Sequence, residues 1–217
     1  MNRGNTIVAS INVGMPDVLK HGNKEVQSGI RKEPVTGNIP LTASGLPGDG
    51  QADLKNHGGS DKAVCAYSAD HFPYWEQRLG FAVTAGAFGE NFTLSGWSES
   101  EWCIGDQVRV GSALLQVTQP RQPCYKLGAR HETPELAAWV TETGYTGFYM
   151  RVLEDGEAAS GDEAIIVERD QAGITIAEAN RVMHHDKTDA VGIRRLLAVP
   201  ALSDSWRETL TERLNRI

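Results

Sequence analysis

The chain has 217 residues, a formal net charge of −7 and 40% hydrophobic residues, enough apolar side chains for one large packed domain, or for a domain with a small appendage. The acidic excess repels a phosphate backbone, which excludes general nucleic-acid binding. No apolar run approaches the ~18 residues that cross a bilayer, and the first residues read as a strand rather than a signal peptide, so the expectation is a cytoplasmic protein with no membrane and no nucleic-acid partner.

Up to about residue 170 the chain is a series of short apolar stretches broken by glycine, 23 of them in all. Strands are predicted at 7–13, 63–67, 108–110, 113–117, 146–153 and 164–167. Gly111-Ser112 predicts a tight hairpin between two of them, and Glu154-Asp155-Gly156 a second one, leading to a strand that begins near 161. A helix is predicted from Asp70 as cap to Leu79, with Pro73 in its first turn and Gly80 as its stop. Another follows Thr133-Pro134, runs through Val140 and is stopped by Gly144. This spacing of many short strands indicates a barrel or sandwich, mostly β with peripheral helices, not a βαβ sheet.

After Asp170 the texture turns helical. Thr175-Ile176-Ala177-Glu178 has the form of a capping box, a second helix covers 190–198, and Ser203 caps a third through Leu214. His184-His185-Asp186 reads as a solvated helix end. The chain is therefore divided at this stage into a β body, 1–170, and a three-helix appendage, 171–217.

Three segments have residue types that are wrong for a core. His57-Gly58-Gly59-Ser60-Asp61-Lys62 pairs two glycines, which let backbone approach a ligand, with a lysine that can neutralise a phosphate; the plain alternative is a turn with a solvated lysine. In Gly89-Glu90-Asn91, the carboxylate and amide can read a planar heterocycle by paired hydrogen bonds, with Phe88 and Phe92 bounding its faces; the alternative is a β-turn. In Gln119-Pro120-Arg121-Gln122-Pro123-Cys124-Tyr125-Lys126, two prolines stiffen a loop that ends in a thiol. If a helix starts after Pro123, Cys124 lies in its first turn, where the dipole, Arg121 and Lys126 lower the thiol pKa; the alternative is an inert buried cysteine. Cys65 and Cys103 sit in apolar strand contexts and read as inert. An odd cysteine count argues for unpaired thiols in a reducing compartment, and no CxxC spacing offers a closed zinc site.

These motifs, with Ile104-Gly105-Asp106, occur in the same order in MOSC proteins, which the chain resembles over nearly its whole length; the resemblance is closest to the YiiM branch, the bacterial 6-hydroxylaminopurine resistance proteins. It implies a MOSC-type β-barrel with a C-terminal three-helix extension, the molybdenum cofactor (molybdopterin) as cofactor, and Cys124 as the metal-binding, catalytic thiolate. Gly89, Glu90 and Asn91 fall in the loop resembling the pterin-contacting segment, and His57, Gly58, Gly59, Asp61, Lys62, Arg121 and Gln122 match the remaining motif positions. The reaction implied is reductive removal of the hydroxyl from N-hydroxylated bases or amines, with electrons from a separate flavoprotein reductase, since three scattered cysteines hold no cluster. Two alternatives stay open: a cofactor carrier or sulfur-transfer module with a Cys124 persulfide, and a thiol hydrolase with a Cys124–His57 pair.

Overall fold

The computed structural model describes residues 5–54 and 58–217. Its principal strands are β1 (Thr6–Val13), β6 (Val64–Ser68), β7 (Phe92–Ser95), β8 (Gln107–Val110), β9 (Ala113–Pro120), β10 (Phe148–Glu154) and β12 (Glu163–Glu168). Among the described residues these seven close a barrel in the order β12-β8-β9-β10-β6-β7-β1, and β1 returns to β12 through Thr6↔Ala164 and Ile7↔Glu163. The pairings are antiparallel except β6–β7, where Ala66 faces Phe92 in parallel register. A parallel neighbour needs a crossover, and the helix Phe72–Leu79 lies within that connection. Short strands decorate the rim: β2 (Asp17–His21) and β3 (Lys24–Ser28) form a hairpin, β4 (Glu33–Val35) extends β1, and β5 (Ile39–Leu41) pairs β11 (Gly156–Ala158).

All six predicted strands are present, and the Gly111-Ser112 hairpin joins β8 to β9. The second predicted hairpin is not made. After Glu154 the chain runs along β5, and β12 pairs with β8 and β1. The reason is closure: β9 and β6 already occupy both edges of β10, so the last strand satisfies its backbone by sealing the barrel. Helix starts also differ. Ser68, not Asp70, caps the turn that enters Phe72–Leu79, accepting from the Asp70 N–H at 3.3 Å, while the Asp70 carboxylate accepts from Gly96 N–H at 3.2 Å. The later helix begins at Leu136 and ends at Thr143, because Thr133 donates its hydroxyl to His131 O instead of capping. Gly80 and Gly144 end these two helices at φ 79° and 73°, as their positions predict.

In the C-terminal region, Ile176–Asn180 continues through a π turn, Arg181–His185, and is followed by Ala190–Leu197 and Asp204–Leu214. Thr175 accepts from Glu178 N–H at 3.0 Å, but the other arm of the box is missing, since the Glu178 carboxylate pairs with Arg195. Ser203 caps the last helix as expected, accepting from Trp206 N–H at 3.3 Å. The apolar faces of these helices, through Ile176, Val182, Ile193, Leu196, Trp206 and Leu210, join the cluster that fills the barrel around Val8, Leu115 and Val117. Each such side chain contributes about 1.5–3 kcal/mol by leaving water. A second cluster, containing Leu19, Tyr67, Trp75, Phe88, Leu127 and Leu136, fixes the helices beside the candidate site.

Candidate functional site

At the end of β9 the chain leaves the sheet through Pro120, and Arg121 N–H donates to Gly147 O at 3.0 Å, which pins the loop to the next strand connection. The prolines hold the following residues extended. Cys124, at φ −126° and ψ 167°, is the N-cap of the helix Tyr125–Arg130, one residue earlier than predicted. Cys124 is half-buried and lines an open pocket.

That pocket gathers Lys62, Gly89, Asn91, Arg121 and Cys124 from the three motifs. Lys126 joins them, as do residues 28–30 and 50–53, Lys32, Cys65 and Tyr149. Arg121 is 6% exposed, and its Nη1 has no hydrogen-bond partner among the described residues. A buried guanidinium donor left without an acceptor is costly, so the cavity is short of an acceptor at that point. Lys62 is also buried, and burial holds its ammonium below the usual lysine value, with Asp61 and Asp53 partly opposing the shift. Four cationic side chains, Lys32, Lys62, Arg121 and Lys126, line the pocket against one carboxylate, Asp53, and with Lys32 paired to Asp49 the balance favours an anionic group.

The floor is a buried polar network. Lys32 Nζ pairs with Asp49, which also accepts from Gly14 N–H at 3.0 Å and from Asn91 Nδ2 at 2.9 Å. Asn91 Oδ1 accepts from Cys65 N–H at 3.0 Å, so the amide predicted to read a ligand is spent on the scaffold. Lys32, Asp49 and Tyr149 escape sequence reading because each stands alone in the chain, outside any motif. Cys65 is buried as its strand context predicts, but it lies in the pocket wall; burial pushes its thiol up to about 11, with Arg121 opposing, so it stays neutral.

Several predicted contacts are corrected. Glu90 is fully buried beneath the pocket, accepting from Gly86 N–H at 2.7 Å, Phe88 N–H at 2.9 Å and Thr93 Oγ1 at 2.8 Å, so it builds its own loop. Phe88 stacks on Tyr67 with centroids 4.1 Å apart, and Phe92 fills the barrel; neither bounds a ligand face. Gly89 is at φ 76°, and a Cβ there would come within 2.9 Å of Ile30 Cγ1, so glycine permits both the turn and the close approach. Gly58 and Gly59 shape the turn into Ser60–Lys62: a Cβ on Gly58 would meet Leu54 O at 2.8 Å, and Gly59 is at φ 97°. Asp61 turns away to Arg151, at 2.8 Å, and Gln122 is exposed outside the pocket wall. His57 lies outside the described residues.

Among the described residues no three His, Cys, Asp or Glu side chains gather around a point that could hold a metal unaided. One soft thiol beside a wall of cations suits instead a metal that brings further ligands on an anionic organic carrier. These groups are compatible with the molybdenum–pterin cofactor that the resemblance implies: Cys124 as a metal ligand, and Arg121 Nη1, without a partner among the described residues, with Lys62 and Lys126 for an anionic group.

Comparison with known proteins identifies the family and the fold. Residues 53–164 match the MOSC domain, and residues 174–216 match the YiiM-like, 3-alpha helix domain. The chain is 44% identical to the protein YflK of Bacillus subtilis, over 97% of this chain and 95% of that one. It is 31% identical to a reductase of Gibberella moniliformis, over 88% of this chain but 34% of the longer relative. The crystal structure of YiiM from Geobacillus stearothermophilus superposes with a TM-score of 0.83 at 41% identity, covering 96% of this chain and 99% of that one.

Proposed function

The chain belongs to the MOSC family, in the branch that carries a YiiM-like three-helix domain, and on that premise we propose that it is a molybdenum-cofactor-dependent reductase of N-hydroxylated bases or amines. The observation that carries this reading is one pocket that joins a half-buried soft thiol, Cys124, to a buried Arg121 whose Nη1 lacks an acceptor among the described residues. The reductase to which the chain is similar supports the class of reaction. Cys124 would hold the metal, and Arg121, Lys62 and Lys126 the anionic end of the pterin. The bound cofactor would supply a two-electron redox couple able to accept an oxygen atom.

The residues in turn set the conditions for chemistry. Cys65 and Tyr149 present neutral groups on the wall, since burial pushes both their pKa values up. The buried Lys32–Asp49 ion pair closes the floor. The net change, R–NHOH with two electrons and two protons giving R–NH2 and water, needs electrons from outside the chain, for which a separate flavoprotein reductase is the proposed donor.

The test uses protein made in a cofactor-competent host, with reduced methyl viologen as donor. Molybdenum-loaded protein is expected to convert 6-hydroxylaminopurine to adenine, and Cys124→Ser is not. Fully loaded protein that leaves the substrate untouched would favour a carrier of the cofactor over a reductase.

A further inference from the structure

The predicted pocket residue Asp61 does not face the pocket. Its carboxylate receives Arg151 Nη2 at 2.8 Å and the backbone N–H of Asp204 at 3.0 Å, and Asp204 is the first residue of the last helix. Gln119 does the same from β9: its Oε1 accepts from Ser203 Oγ at 2.6 Å and Ser205 Oγ at 3.1 Å. Arg151 also donates to Ala201 O at 2.9 Å, and Ser203 N–H to Thr118 O at 3.3 Å. The capped start of one helix and the turn just before it are thus bonded to three separate segments: the 60–62 turn, β9 and β10.

Each of those segments also carries a pocket group. Lys62 follows Asp61, Arg121 lies two residues beyond Gln119, and Tyr149 lies two residues before Arg151. We propose that Asp61 and Gln119 are positioning residues through which the C-terminal helices hold the Lys62–Arg121 wall at the spacing an anionic ligand requires. In this arrangement the three-helix unit is a brace for the pocket. Loosening the start of its last helix lets the cationic wall relax into solvent and weakens its field at Cys124. The inference rests on the proposed anion-binding pocket, and its test separates the two.

The test reads the field at Cys124 without cofactor, in the full chain. The Cys124 thiol is alkylated in parallel with iodoacetate, an anion, and iodoacetamide, its neutral analogue, and the adduct is mapped to Cys124. The ratio of the two rates cancels differences in thiol exposure and ionisation, leaving the attraction of the pocket for negative charge. Wild-type protein should show a higher ratio than glutathione. The double variant Ser203→Ala, Ser205→Ala changes no charge and lies outside the pocket; it should lower the ratio by about twofold or more. Asp61→Asn should lower it too, although removing a carboxylate would by charge alone raise it. Arg213→Met, which loses bonds to Val182 O and Met183 O at the far end of the last helix, destabilises the helical unit away from the brace and should leave the ratio unchanged. An unchanged ratio in the serine double variant, or an equal fall in Arg213→Met, would overturn the bracing role. A wild-type ratio no higher than that of glutathione would instead remove the anion pocket itself.

Discussion

Glu90 illustrates how a motif residue can matter without touching a ligand. It sits in Gly89-Glu90-Asn91 because three donors of the 86–93 loop need one buried acceptor group, and burial raises its pKa against the lowering effect of those hydrogen bonds. Glu90→Gln places an amide N–H against a donor, which should cost about 1–3 kcal/mol of stability. Anion binding by the protein that remains folded should be kept, as calorimetric titration with pyrophosphate would show. Affinity lost without loss of stability would return Glu90 to the ligand. Lys62 gives the opposite case, a group whose charge the pocket uses. Its folded-state pKa lies below the ordinary 10.5, so it loses its proton earlier than an exposed lysine as pH rises. Pyrophosphate affinity should therefore begin to fall at a pH below that value, and Lys62→Arg, which stays charged, should move the decline upward. Identical pH profiles for both proteins would take Lys62 out of the anion site.

At the level of elements, what sequence made legible was periodicity and punctuation. Strands of alternating or apolar residues, the glycine stops at Gly80 and Gly144, and the Ser203 cap all lie where local chemistry demands. Long-range choices were not legible. No local pattern says that β12 must seal against β1, or that Asp70 serves Gly96 while Ser68 caps the turn. The candidate site divides in the same way: Cys124, Lys62 and Arg121 announce themselves in proline- and glycine-rich motifs. Lys32 and Cys65 reach the pocket only through tertiary packing. The π turn at 181–185 is another long-range product. His184, predicted to be solvated, has Nε2 buried without a partner among the described residues; burial, then His185, Lys187 and Arg213, lower its pKa from 6.5 to about 4. Because the folded state binds this proton less readily than the unfolded chain, stability rises with pH across that interval and is lost as pH falls from about 6.5 to 4. His184→Gln should reduce the acid-induced fall in melting temperature over this range. A wild-type slope in the variant would assign acid sensitivity elsewhere.

For the whole molecule, family membership and the barrel with its helices are established by matches that span both regions of the chain. The proposed chemistry narrows to one atom, the sulfur of Cys124, among three cysteines that remain unpaired. The most direct measurement is the molybdenum-to-protein ratio of the full chain purified from a host that makes the cofactor, with thermal melting as the check on folding. The account predicts stoichiometric molybdenum in wild type, Cys65→Ser and Cys103→Ser, and almost none in a folded Cys124→Ser. Equal molybdenum in all four proteins, or none in any of them despite active cofactor synthesis, would contradict it.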